Sequence, residues 1–213
     1  MLRLPPFAGL RVGLFGGSFN PPHTGHLALA RHALKRLRLD HVWWLVAGRN
    51  PLKSPEETAA LAARLVATRR LVRHPRFHVL ALEAATGTLY TADLLAALAP
   101  LLSRGRFVWL MGADSFATLH RWKDWRRIML TLPVAVFARP GWTLAALEGP
   151  AARAFARRRL PATRAAALAD AAPPAWCYLE MPRRAVISTC LRHPERCQPS
   201  GKKSLAAADP AAP

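Results

Sequence analysis

Residues 16–26 read Gly-Gly-Ser-Phe-Asn-Pro-Pro-His-Thr-Gly-His, and several of these residue types suit phosphate chemistry. Gly16 and Gly17 carry no side chains, so backbone N–H groups can approach an anion closely. Pro21 and Pro22 stiffen the turn. Gly25 lets the start of a following helix come near a ligand, where the helix dipole favours negative charge. His23 and His26 are three residues apart, a spacing that sets both imidazoles on one side of a helical turn. Two imidazoles there can donate hydrogen bonds to phosphate oxygens as charge builds up in a transition state. The run has neither the GxGxxG of dinucleotide binders nor the GxxxxGK[ST] of P-loops. Its weight rests on all eleven residues lying between an apparent strand and a helix.

The elements that must position this loop follow from hydrophobic periodicity. Val12–Phe15 is a short apolar run ending in Gly-Gly and reads as a buried strand. From Gly25 to Leu39, apolar residues at Leu27, Ala30, Leu34 and Leu37 form a helical stripe. Further strands are expected at Val42–Val46, Phe77–Leu82, Phe107–Met111, Val134–Ala138 and Trp176–Leu179. Helices are expected over Thr58–Val72, which Thr58 can cap, and over Thr91–Leu102. Strands alternating with helices predict an α/β fold: a Rossmann-like, doubly wound, mostly parallel sheet covered on both faces. In such sheets ligands sit beyond the carboxyl ends of the strands, here just after Phe15, Val46, Met111 and Phe137. Leu144–Pro174, rich in Ala, Arg and Pro, reads as a helix with a loose loop, and His193–Pro213 as a mobile tail. Residues 1–192 then form a single domain.

Composition narrows the class. A chain of 213 residues with 52% hydrophobic content fits one folded domain and excludes a largely disordered one. No apolar run reaches the roughly 20 residues of a membrane span. Pro5 and Pro6 interrupt Met1–Leu10, so no secretory signal is expected. Cys177, Cys190 and Cys197 are odd in number and lack CxxC spacing, which suits reduced thiols in a cytoplasmic protein. The net charge of +19 favours anionic substrates. A nucleic-acid module would cluster its basic residues with interleaved aromatics. Here Arg is scattered, with Arg157-Arg158-Arg159 the densest run, so neither a nucleic acid nor a membrane is an expected partner.

The run at 16–26 resembles the (H/T)xGH nucleotidyltransferase superfamily, and the form GGSFNPPHTGH is similar to bacterial nicotinate-nucleotide adenylyltransferases. The resemblance extends over residues 11–142 and 176–192. Asn50-Pro51-Leu52-Lys53 resembles the family's phosphate-side loop, with Leu52 where His is common. Tyr90-Thr91 resembles its Ser-Tyr-Thr segment, Gly112-Ala113-Asp114-Ser115 its Gly-x-Asp-Ser, and Trp122 its ring-stacking aromatic. Arg139 falls in the matching fifth-strand ending. Val186–Arg192 resembles Ile-Ser-Ser-Thr-x-Ile-Arg, with Ile187 replacing one Ser and a polar tail following.

The resemblance implies transfer of the adenylyl group of ATP to nicotinate mononucleotide, giving nicotinate adenine dinucleotide and pyrophosphate in NAD biosynthesis. It assigns His23, His26, Lys53 and Arg192 to catalysis. It assigns Gly16, Gly17, Ser18, Phe19, His23, Gly25, His26, Gly112, Asp114, Ser188, Thr189 and Arg192 to ATP. Ser18, Asn20, Lys53, Tyr90, Thr91, Trp122 and Arg139 are assigned to the mononucleotide. Trp125 reads as core. The sequence shows no carboxylate cluster, so Mg²⁺ is expected to be carried by ATP phosphates and water rather than by a protein cage. Alternatives are a nicotinamide-mononucleotide or phosphopantetheine adenylyltransferase, or a catalytically impaired member. The oligomeric state, monomer or homodimer, stays open.

Overall fold

The computed structural model describes residues 4–48 and 59–181. Its frame is a seven-stranded sheet with every pairing parallel. The strands are β1 (Arg11–Gly17), β2 (His41–Val46), β3 (Phe77–Leu80), β4 (Arg106–Gly112), β5 (Val134–Phe137), β6 (Arg159–Leu160) and β7 (Trp176–Leu179), in the order β3-β2-β1-β4-β5-β7-β6. The chain steps outward from β1 to β2 and β3, then returns to β4 on the other side of β1. The order therefore reverses between β1 and β4, the switch point where parallel sheets open a crevice.

Alternation along each strand sends side chains into two separate cores. On one face Phe15, Trp44, Val46, Val108, Leu110 and Phe137 pack under α1 (Thr24–Arg36) and α2 (Leu61–Leu71), together with 3₁₀ turns at Ala162–Asp170. On the other, Leu14, Trp43, Leu45, Trp109, Met111 and Val136 pack under the helices from α3 (Leu82–Thr86) to α9 (Pro150–Ala154). Because both faces are covered, the strands read as continuous apolar runs, and β1, β2, β4, β5 and β7 are correspondingly buried along nearly their whole lengths.

The expected parallel α/β architecture is therefore present, with local differences. Leu82 does not belong to β3; it begins α3, which ends at Gly87 in the left-handed conformation suited to a helix stop. Thr91–Leu102 is two helices, α4 (Thr91–Ala97) and α5 (Ala99–Leu102), divided where Pro100 removes a backbone donor. The expected helix and loop over Leu144–Pro174 is instead α8 (Thr143–Glu148), α9, 3₁₀ turns and the two-residue strand β6. Gly149–Pro150 interrupts the helical run there, and Arg159–Leu160 is too short to carry an alternation signal. Helix α2 starts after Ala60 with no side-chain cap; Thr58 lies outside the described residues, as does the 193–213 segment. Between α5 and β5 lie α6 (Ala113–Ala117) and α7 (Trp125–Thr131).

At the amino ends of the strands, Asp170 bonds Arg11 at 2.8 Å and Arg106 at 3.1 Å, tying β1 and β4 to the segment before β7. Arg106 also donates to the Gly9 carbonyl at 2.6 Å. This end is held shut by partnered charges.

Candidate active site

At the carboxyl end, β1 runs on to Gly17 before the chain turns through Ser18 to Pro22. Gly16 has a packing reason as well as the expected phosphate access: a Cβ there would lie 2.7 Å from the Trp109 ring. Phe19 adopts φ 43°, a left-handed conformation that costs energy in a residue with a Cβ. Its ring is 2% exposed and wedged against Phe15, Trp44 and His26, with centroids 5.1–5.2 Å apart.

His23 is the N-cap of α1. Its Nδ1 accepts the Gly25 N–H at 3.1 Å, while His26 Nδ1 accepts the His23 N–H at 3.3 Å. The imidazoles thus act as a reciprocal capping box. The rings stack with centroids 3.7 Å apart. Because each Nδ1 accepts, each ring proton belongs on Nε2. Burial, and then the Arg139 charge, lowers the His23 pKa to about 4. Burial, then His23 and Arg139, lowers that of His26 to about 2. Both rings are therefore neutral hydrogen-bond donors near pH 7. His23 Nε2 is buried with no hydrogen-bond partner among the described residues. Such an orphan costs about 1–3 kcal/mol; Arg11 Nε, His32 Nε2 and the indole N–H groups of Trp43, Trp44 and Trp109 share this state, so His23 Nε2 stands out by its place at the helix start. The first turn of α1 carries no acidic residue, which keeps the positive helix end available to an anion.

On the next two strands, Asp114 follows the end of β4 and Arg139 the end of β5. Arg139 Nε lies 3.1 Å from Asp114 Oδ1 as an ion pair, without the alignment of a hydrogen bond, and that oxygen is buried without a hydrogen-bond partner among the described residues. Asp114 does not cap α6, whose N-cap position is Gly112. A Cβ on Gly112 would run into both Asp114 and Arg139, so this glycine makes room for the pair. The Arg139 field felt at both histidines gathers His23, His26, Gly112, Asp114 and Arg139 at one end of three adjacent strands.

Tyr90 meets the residue next to Trp122. Tyr90 occupies the N-cap position of α4 without a side-chain cap bond, and Thr91 is the first helical residue. Lys123 Nζ sits 5.0 Å over the Tyr90 ring and pairs with Asp93 at 3.0 Å. Trp122, next to Lys123, is half-buried against the core; Trp125 packs edge-on to Phe155 at its margin. Asn20 is buried, and its Oδ1 accepts from Ala59 N–H at 3.4 Å. Lys53, Ser188, Thr189 and Arg192 lie outside the described residues.

Comparison with known proteins bears on the same residues. Residues 14–191 match the family model described as cytidylyltransferase-like. A protein of Cereibacter sphaeroides named "probable nicotinate-nucleotide adenylyltransferase" is 55% identical over 181 residues, covering 85% of this chain and 96% of that protein. Proteins of the same name from Ruegeria pomeroyi (51% identical, 88% of each chain) and a Bradyrhizobium species (50%, covering 87% and 97%) also match. The chain belongs to the nicotinate-nucleotide adenylyltransferases of the cytidylyltransferase-like family. Its fold is shared by the Plasmodium falciparum nicotinic acid mononucleotide adenylyltransferase complexed with NaAD, at TM-score 0.64 and 14% identity, over 86% of this chain and 82% of that one. The same Plasmodium enzyme complexed with APC gives a TM-score of 0.62 at 13% identity.

In this family member two further residues, not marked by any motif, hold the loops of the site. Arg64, in α2, is 3% exposed and donates four hydrogen bonds, all to backbone carbonyls: Ala59, Ser18, Ala47 and Gly48, at 2.7–2.8 Å. Glu83 accepts the Gly48 N–H at 2.8 Å. Burial raises the Glu83 pKa, opposed by that N–H and by Arg64. The available signal was positional: Arg64 lies three residues after Leu61 and four before Thr68, on the inward stripe of α2 rather than its solvated face.

Proposed function

We infer that this protein transfers the adenylyl group of ATP to nicotinate mononucleotide, releasing pyrophosphate and forming nicotinate adenine dinucleotide. The observation that carries the reading is the stacked, neutral histidine pair at the start of α1, whose His23 Nε2 is buried without a partner among the described residues. Family membership at about half identity over most of the chain gives the reaction class, and the Plasmodium enzyme of the same fold binds NaAD.

A phosphate oxygen of the mononucleotide attacks the α-phosphorus of ATP in line. The new P–O bond forms as the bond to the bridging oxygen of pyrophosphate breaks. The attacking phosphate is already anionic, so neither a protein nucleophile nor a general base is required. Catalysis is then positioning plus stabilisation of charge. His23 and His26 would donate through Nε2–H to the α-phosphate and the leaving group. Backbone N–H groups of Gly16 to Phe19 and the start of α1 at Gly25 would line the phosphates. Asp114, beside Gly112, would accept from ribose hydroxyls, and Arg139 would face the mononucleotide phosphate. Ser18, Asn20, Tyr90, Thr91 and Trp122 would hold the nicotinate mononucleotide. Lys53, Ser188, Thr189 and Arg192 complete the phosphate set by family resemblance.

Among the described residues no three His, Cys, Asp or Glu side chains converge as a metal cage. Asp114 lies against Arg139, and Glu83 is occupied by Gly48. This donor set suits a Mg²⁺ held chiefly by ATP phosphates and water, where it would neutralise phosphate charge. We place this chemistry in one domain over residues 1–192 and in the cytoplasm. No described helix is long and apolar enough to cross a membrane.

The test is product identification. Incubation with ATP, Mg²⁺ and nicotinate mononucleotide should give equimolar nicotinate adenine dinucleotide and pyrophosphate. Absence of both, or ATP hydrolysis without the dinucleotide, would contradict the reading.

A further inference from the structure

Arg64 takes no part in the chemistry above, yet its hydrogen bonds converge on the loops that do. A buried guanidinium loses strong hydration, which its hydrogen bonds must offset. Here its acceptors belong to separate stretches of chain. Ser18 lies in the loop after β1, Ala47 and Gly48 follow β2, and Ala59 precedes α2. The Gly48 residue is gripped from both sides, its carbonyl by Arg64 and its N–H by Glu83.

We propose that Arg64 is a positioning residue for adenylyl transfer, setting the histidine loop after β1 in register with the backbone leaving β2. It acts through Phe19. Holding the Ser18 carbonyl fixes the Ser18–Phe19 peptide, and a trans peptide points the Phe19 N–H the opposite way. The same bond fixes the plane from which Phe19 departs at φ 43°, the conformation that seats its ring edge-on against His26. Loss of the guanidinium frees this peptide, the Phe19 ring behind His26, and the Gly48 carbonyl together. Lysine cannot replace it fully, because a single ammonium cannot reproduce the planar fork.

This inference rests on the adenylyltransferase reading, so the parent chain is assayed first. No turnover of nicotinate mononucleotide and ATP by the parent would defeat that reading and leave the inference without its reaction. With an active parent, Arg64→Met should lower kcat/KM by roughly 10²-fold, the scale expected for small misplacements of reacting groups. KM for ATP should rise and kcat fall, and the His26 imidazole NMR signals should shift. Arg64→Lys should recover part of the loss. Asp170→Asn is the control: it loosens the opposite end of the sheet and should leave KM and kcat per folded molecule unchanged. If Arg64→Met does not fold, Arg64→Lys decides, with about a tenfold loss in kcat/KM expected. Parental kinetics in the deciding variant would overturn the proposal. So would a loss that follows only the folded fraction at unchanged KM.

Discussion

The two ends of the parallel sheet treat polar groups differently. At the amino ends, Asp170 gives both carboxylate oxygens to Arg11 and Arg106, while Arg106 also meets a backbone carbonyl. Arg11 Nε is the exception there, buried without a partner among the described residues. At the carboxyl ends, His23 Nε2 and Asp114 Oδ1 are buried without hydrogen bonds among the described residues, although Asp114 pairs with Arg139, and Phe19 is held in a left-handed conformation, as is Arg38 before β2. Paired charges close the amino end, while the carboxyl end gathers the polar groups that a nucleotide would meet. Variants at one end should change rates, and variants at the other should change only stability.

The largest effect is expected for His26→Ala. Loss of a transition-state donor typically costs on the order of 10²–10³ in turnover. We expect at least that loss in steady-state kcat, with the fold retained by circular dichroism. Near-normal turnover would erase the distinction between the ends. Next, Asp114→Asn should raise KM for ATP roughly 10- to 100-fold, the scale of a hydrogen bond to a charged group. Isothermal titration with an ATP analogue would check this.

A third prediction concerns pH. The folded pKa values of about 4 and about 2 for His23 and His26 lie below the ordinary 6.5. Between these values the unfolded chain binds more protons, so acidification favours unfolding. The contribution of this pair is complete above pH 6.5. It declines as pH falls below that value and is lost progressively through pH 4. Urea midpoints at pH 7.5 and 5.0 should show a drop that shrinks in His23→Asn. Imidazole NMR signals of the pair should stay flat from pH 8 to 5. An inflection near 6.5 would show that the rings are not held neutral. The smallest effect is expected for Asp170→Asn. Half-exposed ion pairs contribute about 0–1 kcal/mol each, so Tm should fall by a few degrees at unchanged kcat/KM.

Much of the carboxyl end was legible in the sequence because its signals are local. The Gly-Gly, Pro-Pro and two-histidine spacing lies within eleven residues, and the apolar runs located β1, β4 and β5, beyond which Asp114 and Arg139 meet. What stayed hidden depends on tertiary contacts. That His23 and His26 stack, cap the helix and share a neutral Nε2–H form follows from backbone geometry that no spacing shows. Arg64 was one of many arginines; its place on the inward stripe of α2 sets it apart, but its four hydrogen bonds depend on tertiary contacts. That the Phe19 ring packs against His26 likewise shows only in the fold. Strand β6 leaves no mark because two residues carry no period, and the apolar Leu82 prolongs the run of β3 although it begins α3.

The most direct test of the assigned reaction is a competition. Nicotinate and nicotinamide mononucleotides at equal concentration would compete for limiting ATP, and the two dinucleotides would be separated and quantified. A clear excess of nicotinate adenine dinucleotide is expected. A marked excess of the amide product, or no dinucleotide at all, would contradict the account.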